Sequence, residues 1–439
     1  MRIKRKDIVV CGFALFAIFF GAGNMIFPPY LGILSGKEWL TAILAFLLAD
    51  PVLPILGVFA VALLNGHAEN IGNRVGKRFS LVVTTVTILL MGPIFAIPRT
   101  GATTHEIFVA PLFPQIPSWL SLLVFFGLTL YLALNSNKVV DKIGKFLTPV
   151  LLVILALIII SAITNPPGEL AAARQQGLFS SSFKEGYQTM DAMAAPLIGG
   201  IIIVDIRRRG YGEPKTLLRF CIYIGILAGL LLALVYGSLT YAGATVSQFF
   251  TPDQNRTGIL VGMVEMLLGK FGKISLGIAV ALACLTTSVG LTSICGNYFY
   301  ERSHRKLPYL GILLACALVE YLIALIGVDS IIFIAAPILS AIYPVVIVLI
   351  VTTLLGSRIK YDATIGGAVV GAFAIGLIQA IAMASKMQGG HLLEGLSAWV
   401  SRLPLHVLGF EWLLPSLLCS LLFTLWAMGR GTLQKKELD

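Results

Sequence analysis

Two glycines, an asparagine and a proline pair interrupt an apolar run near the start of the chain. The stretch reads Phe19-Phe20-Gly21-Ala22-Gly23-Asn24-Met25-Ile26-Phe27-Pro28-Pro29, inside residues 8–34. None of these side chains is a nucleophile or a general base. What the pattern offers is bare backbone. Glycine costs about 1 kcal/mol against alanine in a helix and an interior proline about 3, so a helix opens here and frees N–H and C=O groups. In hydrocarbon such groups persist only where protein buries them or they line a cavity. The chemistry on offer is recognition by backbone dipoles, with anions drawn to a helix start and cations to a helix end. A proline kink with close glycine packing is the alternative account of the same residues.

A second apolar run is interrupted in the same way between Tyr187 and Gly200, by Asp191, Pro196, Gly199 and Gly200. Asp191 is either an acceptor in a site or a helix cap at the break. Asp50, before Pro51, and Glu320 also stand inside apolar runs. Buried ionisable groups in a membrane are functional by default, so either is a candidate proton carrier. The plainer account has Asp50 capping a helix piece before Pro51 and Glu320 either protonated or facing a wet groove.

The elements that must carry these residues follow from composition. The chain has 439 residues, 57% hydrophobic and only 12% charged, with a mean hydropathy of +0.92. Soluble domains carry about 25% charged residues, so the expectation is an all-α integral membrane protein. Twelve spans are predicted, at roughly 8–34 (broken), 39–64, 79–98, 118–135, 144–164, 187–205 (broken), 215–242, 273–297, 307–327, 329–354, 362–384 and 410–428. With the N-terminus inside, 23 of the 32 Lys and Arg fall on cytoplasmic segments. By the positive-inside rule both termini are then cytoplasmic in a multi-pass protein of the cell inner (plasma) membrane. The net charge of +11 is thereby accounted for by topology, without nucleic acid. Arg207-Arg208-Arg209 reads as a topogenic loop, and Arg99, just outside span three, as a snorkelling arginine or a partner for Asp329 or Glu106 at an external mouth.

Catalysis has little to stand on. No HExxH, GxSxG or phosphate-cradling glycine loop occurs, and the six cysteines include no CxxC. A channel would want a pore-lining ring, and a membrane enzyme paired carboxylates or a metal cluster. Interrupted helices at corresponding positions, spans one and six, point instead to a transporter built from two five-span halves.

Residues 21–29, Phe95-Ala96-Ile97-Pro98-Arg99-Thr100, Thr189-Met190-Asp191-Ala192 and Ala341-Ile342-Tyr343-Pro344 give the chain a family resemblance. In order and spacing they resemble the branched-chain amino acid:cation symporters of BrnQ type, over essentially the whole length. The resemblance implies a LeuT-like 5+5 inverted repeat (first half 8–164, second half 187–354) with discontinuous helices 1 and 6 and two additional C-terminal helices (362–428), all in one transporter domain. It implies sodium-coupled uptake of leucine, isoleucine and valine, no cofactor beyond Na+ as coupling ion, and no obligate protein partner. A proton-coupled symporter of a related apolar amino acid is the alternative, and an ion channel is weaker. Asp50, Glu320 and Pro196 depart from the family pattern and leave the coupling ion open.

By the same resemblance Ala283-Cys284-Leu285-Thr286-Thr287-Ser288 supplies a sodium site. The Thr286 and Thr287 hydroxyls and the Ala283 carbonyl would be joined by the carbonyls of Ala17 and Phe20. A hard cation wants such oxygens. The alternative for the two threonines is a hydroxyl bonded back into its own helix or across a helix interface. An amino acid's carboxylate is expected on the N–H groups of Gly23, Asn24 and Met25. Its ammonium is expected on carbonyls around Phe19–Ala22, which includes Gly21, and around Met190–Met193, which includes Asp191 and Ala192. Ile94, Phe95, Met193 and Leu291 are the expected walls for its aliphatic side chain. Discrimination among the three substrates should be weak, because one methylene in such a pocket is worth about 1–3 kcal/mol.

Overall fold

The computed structural model describes residues 3–135 and 137–430, apart from the side chains of residues 22 and 135–150. Arg2, Lys138, Lys142, Lys145, Lys435 and Lys436, which enter the charge count, lie outside the described side chains. The regular elements among the described residues are all helices, with no strand among them. In chain order the helices are α1 (Arg5–Phe19), α2 (Ala22–Ser35), α3 (Trp39–Leu47), α4 (Leu53–Leu63), α5 (Lys77–Leu89), α6 (Ala96–Thr104), α7 (Ala110–Leu112), α8 (Ser118–Asn135) and α9 (Asn137–Thr164). They continue as α10 (Leu178–Glu185), α11 (Asp191–Arg208), α12 (Pro214–Thr245), α13 (Arg256–Arg302), α14 (Tyr309–Ala324), α15 (Val328–Leu355), α16 (Asp362–Met387), α17 (Glu394–Val400) and α18 (Leu413–Gly429).

Among the described residues six helical stretches are long and apolar enough to cross a membrane, and a seventh is the bent pair Leu178–Thr189 and Asp191–Arg208, at 42°. Four shorter apolar helices accompany them, and one stretch, Gly23–Leu63, joins the outer piece of the first predicted span to the second. The helices are apolar on the outside too: Leu230 and Leu234 of α12 are 66% and 64% exposed. An exterior of this kind needs lipid against it.

The breaks are what position the site. The first helix stops at Phe20 (φ −81, ψ 79) and restarts after Gly21, with no side-chain cap at either end. The break in the second helix falls at Asp50 (φ −151, ψ 115), next to a cis Asp50–Pro51 bond. The third opens at Gly92 and Pro93 but runs on through α6, so it extends well past the predicted end at 98. The sixth turns at Met190, a left-handed residue with φ 64. Ahead of the eighth predicted span, α13 carries a further helical piece that starts at Arg256, where Asn255 accepts from Thr257 and Gly258 N–H, and ends in a kink at Gly269 (φ 65), just before the predicted start at 273.

Helix α2 packs on α12, α11 on α4, and α13 on α6 and α9. The first pairing is backbone against backbone. A Cβ on Gly32 would lie 2.1 Å from the Thr240 carbonyl oxygen, and one on Gly243 2.1 Å from that of Pro29. Only glycine permits that approach, and it binds α2 and α12 into one body.

Candidate functional site

Asn24 occupies the first turn of α2, and its side chain reaches across three broken helices. The Asn24 amide nitrogen donates to Asp50 Oδ2 at 2.9 Å and to Asp191 Oδ2 at 2.7 Å, and it also bonds the Tyr236 hydroxyl of α12. Asn24, Asp50 and Tyr236 are all buried. An NH2 group has two hydrogens for these three acceptors. Asp50 Oδ1 has no hydrogen-bond partner among the described residues, nor do the buried Gln188 Oε1 and Tyr343 hydroxyl. Tyr236 is held in place by the Phe20 and Phe46 rings, and Tyr343 stacks on Tyr187 at 4.2 Å.

Asp191 therefore does not act as a cap. It sits in the first turn of α11, where negative charge is favourable, but its oxygen faces Asn24 and no side chain caps that helix start. The free N–H groups of α2 fall one residue earlier than expected. The helix begins at Ala22 and Gly21 N–H is bonded to the Phe19 carbonyl, so Ala22, Gly23 and Asn24 carry them and Met25 N–H is the first inside the helix. Two of the expected ammonium acceptors are already engaged. The Phe19 carbonyl accepts from Gly21 N–H at 2.9 Å, and that of Met190 from Met193 and Ala194 at 3.1 and 3.0 Å.

Arg99 is inside the protein, 5% exposed, and not at a mouth. The unforeseen continuation of the third helix through α6 carries it there. It donates to the Gln188 carbonyl at 2.6 Å and lies 5.5 Å from the Phe27 ring centroid. The two acids suggested as its partners serve another residue's surroundings. Glu106 accepts from Val328 N–H at 2.9 Å and from the Thr257 hydroxyl at 2.5 Å, and Asp329 accepts from Arg256 N–H at 3.3 Å. Arg256 pairs with Glu185 at 3.0 Å and covers the Tyr30 ring at 4.2 Å, closing the face opposite the N-terminus. On the N-terminal face Arg209 bonds Asp205 at 2.8 Å and pairs with Asp7 at 3.6 Å, and the Tyr211 hydroxyl donates to Asp7 at 2.7 Å. The arginine run is thus partly a clasp between α1 and the end of α11.

Of the expected pocket walls, Met193 borders a cavity of about 30 Å³ with Pro196, Leu197, Thr87 and Val346. That volume holds about one water. Phe95 is buried, and Ile94 and Leu291 pack against the core, but none of the three lines that cavity. In the proposed sodium segment the Thr286 hydroxyl donates to the Ala283 carbonyl at 3.0 Å, a bond within its own helix. Glu320 is fully buried with neither oxygen partnered among the described residues, and no hydrogen bond joins it to the Asn24 cluster.

Interrupted helices meeting over buried polar groups, inside an apolar exterior, define a polytopic membrane carrier. The fold agrees: the inward-facing conformation of Mhp1 superposes with a TM-score of 0.61 at 16% identity, over 95% of this chain and 91% of that one. The chain belongs to the branched-chain amino acid transport protein family, whose model matches residues 4–429. It is 39% identical to the branched-chain amino acid permease BraB of Bacillus subtilis, over 94% of this chain and 93% of the relative. To the permease BrnQ of Escherichia coli it is 31% identical, over 98% of both chains. The protein is accordingly a branched-chain amino acid transporter of BrnQ type with a LeuT-like fold, and not an enzyme.

Proposed function

We propose that this protein is a secondary active symporter that brings leucine, isoleucine and valine into the cell by alternating access, coupled to sodium. The observation that carries the reading is the bond from Asn24 to Asp191, which joins the breaks of the first and sixth helices. In transporters of this architecture such a meeting point is where substrate and ion bind. Clasps at both faces, Arg256–Glu185 and Arg209–Asp7, are consistent with a closed site between two gates. The proposed frame is twelve spans, a 5+5 inverted repeat plus two helices, in the inner membrane with cytoplasmic termini.

Sodium is proposed to bind the carbonyls of Ala17, Phe20 and Ala283 with the hydroxyls of Thr286 and Thr287. All five are hard oxygen ligands; the Thr286 hydroxyl would give up its bond to the Ala283 carbonyl, at 3.0 Å within its own helix, to turn toward the ion. One observation favours a proton instead. Asp50 and Asp191 share one amide nitrogen, and an Asp50 oxygen is left unpartnered.

The test is radiolabelled leucine uptake into proteoliposomes under separately imposed sodium and proton gradients. Accumulation driven by sodium alone is the expected result. Accumulation driven only by protons would transfer the coupling role to Asp50 and Asp191. No uptake of any branched-chain amino acid under either gradient would refute the transport reading.

A further inference from the structure

We infer that Arg99 is the ionic partner of the substrate's carboxylate; the assignment rests on the amino acid transporter reading. A buried guanidinium keeps its charge and needs a counter-ion or a full set of hydrogen bonds. Arg99 is 5% exposed, and its one hydrogen bond among the described residues is to the Gln188 carbonyl. No carboxylate lies within ion-pairing distance of it among those residues, although Asp50 and Asp191 are bonded to Asn24 close by.

The position of the guanidinium adds a second argument. Arg99 Nη2 lies 2.9 Å, and Cζ 3.3 Å, from where a Cβ on Gly23 would stand. The cation is therefore parked against the first turn of α2, whose free N–H groups make that end positive. Two positive groups facing each other in a buried place are an incomplete arrangement. An anion between them completes it, bonding to N–H groups on one side and to a planar fork of donors on the other. The carboxylates of Asp50 and Asp191 are bonded to the side chain of Asn24, the residue after Gly23, so acceptors for an ammonium stand next to that anion place. Charge of both signs then reads a zwitterion end to end. The opposite view, that Arg99 only balances the buried acids, predicts equal losses for every ligand on its removal.

The test compares leucine with leucinamide, whose carboxylate is replaced by a neutral amide, and with 4-methyl-2-oxopentanoate, which lacks the ammonium. Binding is measured calorimetrically on the full-length protein in nanodiscs. The wild type is expected to prefer leucine over leucinamide by about 100-fold. In Arg99→Gln leucine should weaken about 100-fold while leucinamide is unchanged, so the preference disappears. The oxo acid should stay weak in the wild type and weaken further in the variant. If Arg99→Gln does not fold, Arg99→Lys serves: leucine should weaken about tenfold and leucinamide should not, because lysine keeps charge but loses the fork. An unchanged leucine-to-leucinamide ratio in the variant that folds overturns the assignment alone. A wild type that binds no leucine, isoleucine or valine overturns the transport reading with it.

Discussion

At the scale of single residues, Gly23 and Asn24 set the tolerances of the site. A methyl on Gly23 would meet Arg99 Nη2 at 2.9 Å and the Phe27 ring at 3.2 Å. Gly23→Ala should therefore displace the guanidinium, and leucine affinity should fall tenfold or more while the protein stays monodisperse in detergent. Calorimetry and size-exclusion chromatography read the two quantities independently. Replacing Thr286 and Thr287 together by alanine should raise the sodium concentration for half-maximal uptake steeply; unchanged sodium dependence in the folded variant would reject those ligands. Asn24 and Asp191 were legible in the sequence because glycine and proline mark the breaks that hold them. Tyr236 was not, since a tyrosine in an uninterrupted apolar helix looks like core. Arg99 was misplaced for a related reason. Pro98 followed by the charged Arg99 resembles the end of a span, and only the packed structure carries the helix past them through α6 to Thr104.

Among the elements, α10 and the start of α13 are tied down by charge. Removing Arg256 should release the side of α2 that carries Tyr30, because both the Glu185 pair and the ring contact are lost. In Arg256→Ala, hydrogen exchange should speed up in residues 28–35 and 178–185 but not in residues 5–19; uniform exchange would exclude a gate. The connection between α17 and α18 docks on α10 through Glu411, which is fully buried. Its Oε1 accepts from Lys184 at 2.7 Å and bonds Gln379 as well, and Phe410 packs on Phe183 at 4.5 Å. Burial pushes a carboxyl group up, but the Lys184 ammonium and the Gln379 amide outweigh it and hold Glu411 below its ordinary range. A depressed carboxylate stabilises the fold above its unfolded value, near 4.3, and that contribution disappears as pH falls through the folded one. Glu411→Gln should thus cost about 3 kcal/mol at neutral pH and less in acid, so thermal melts of variant and wild type should converge as pH drops below about 4. This docking was invisible in the sequence, where Glu411 falls at the start of the span predicted at 410–428; helix α18 begins only at Leu413 and leaves Glu411 in the connection. Apolar helices were legible from hydrophobic length, and the breaks of the first and sixth from their glycines and prolines, but the kink at Gly269 and the join of α2 to α3 were not.

For the molecule as a whole, orientation is testable with reporter fusions at Gly72 and Arg174, which should report opposite sides of the membrane. The same side for both would reject the predicted span count in the first half. The energetics of the proposed symport are adequate: a tenfold sodium gradient is worth about 1.4 kcal/mol and 100 mV about 2.3 per charge, so one sodium sustains roughly a 500-fold leucine gradient. The fusion of α2 with α12 through Gly32 and Gly243 has a mechanical side. Helix α12 is 32 residues long, about 48 Å, so it reaches from one face to the other. It also packs along α1, where a Cβ on Gly12 would lie 2.6 Å from Leu227. When α2 tilts, a beam of that length must tilt with it, and its far end sweeps the opposite way beside α1 and Tyr211. The two doors of the carrier then hang on one see-saw, and a leak through both at once would require bending the plank.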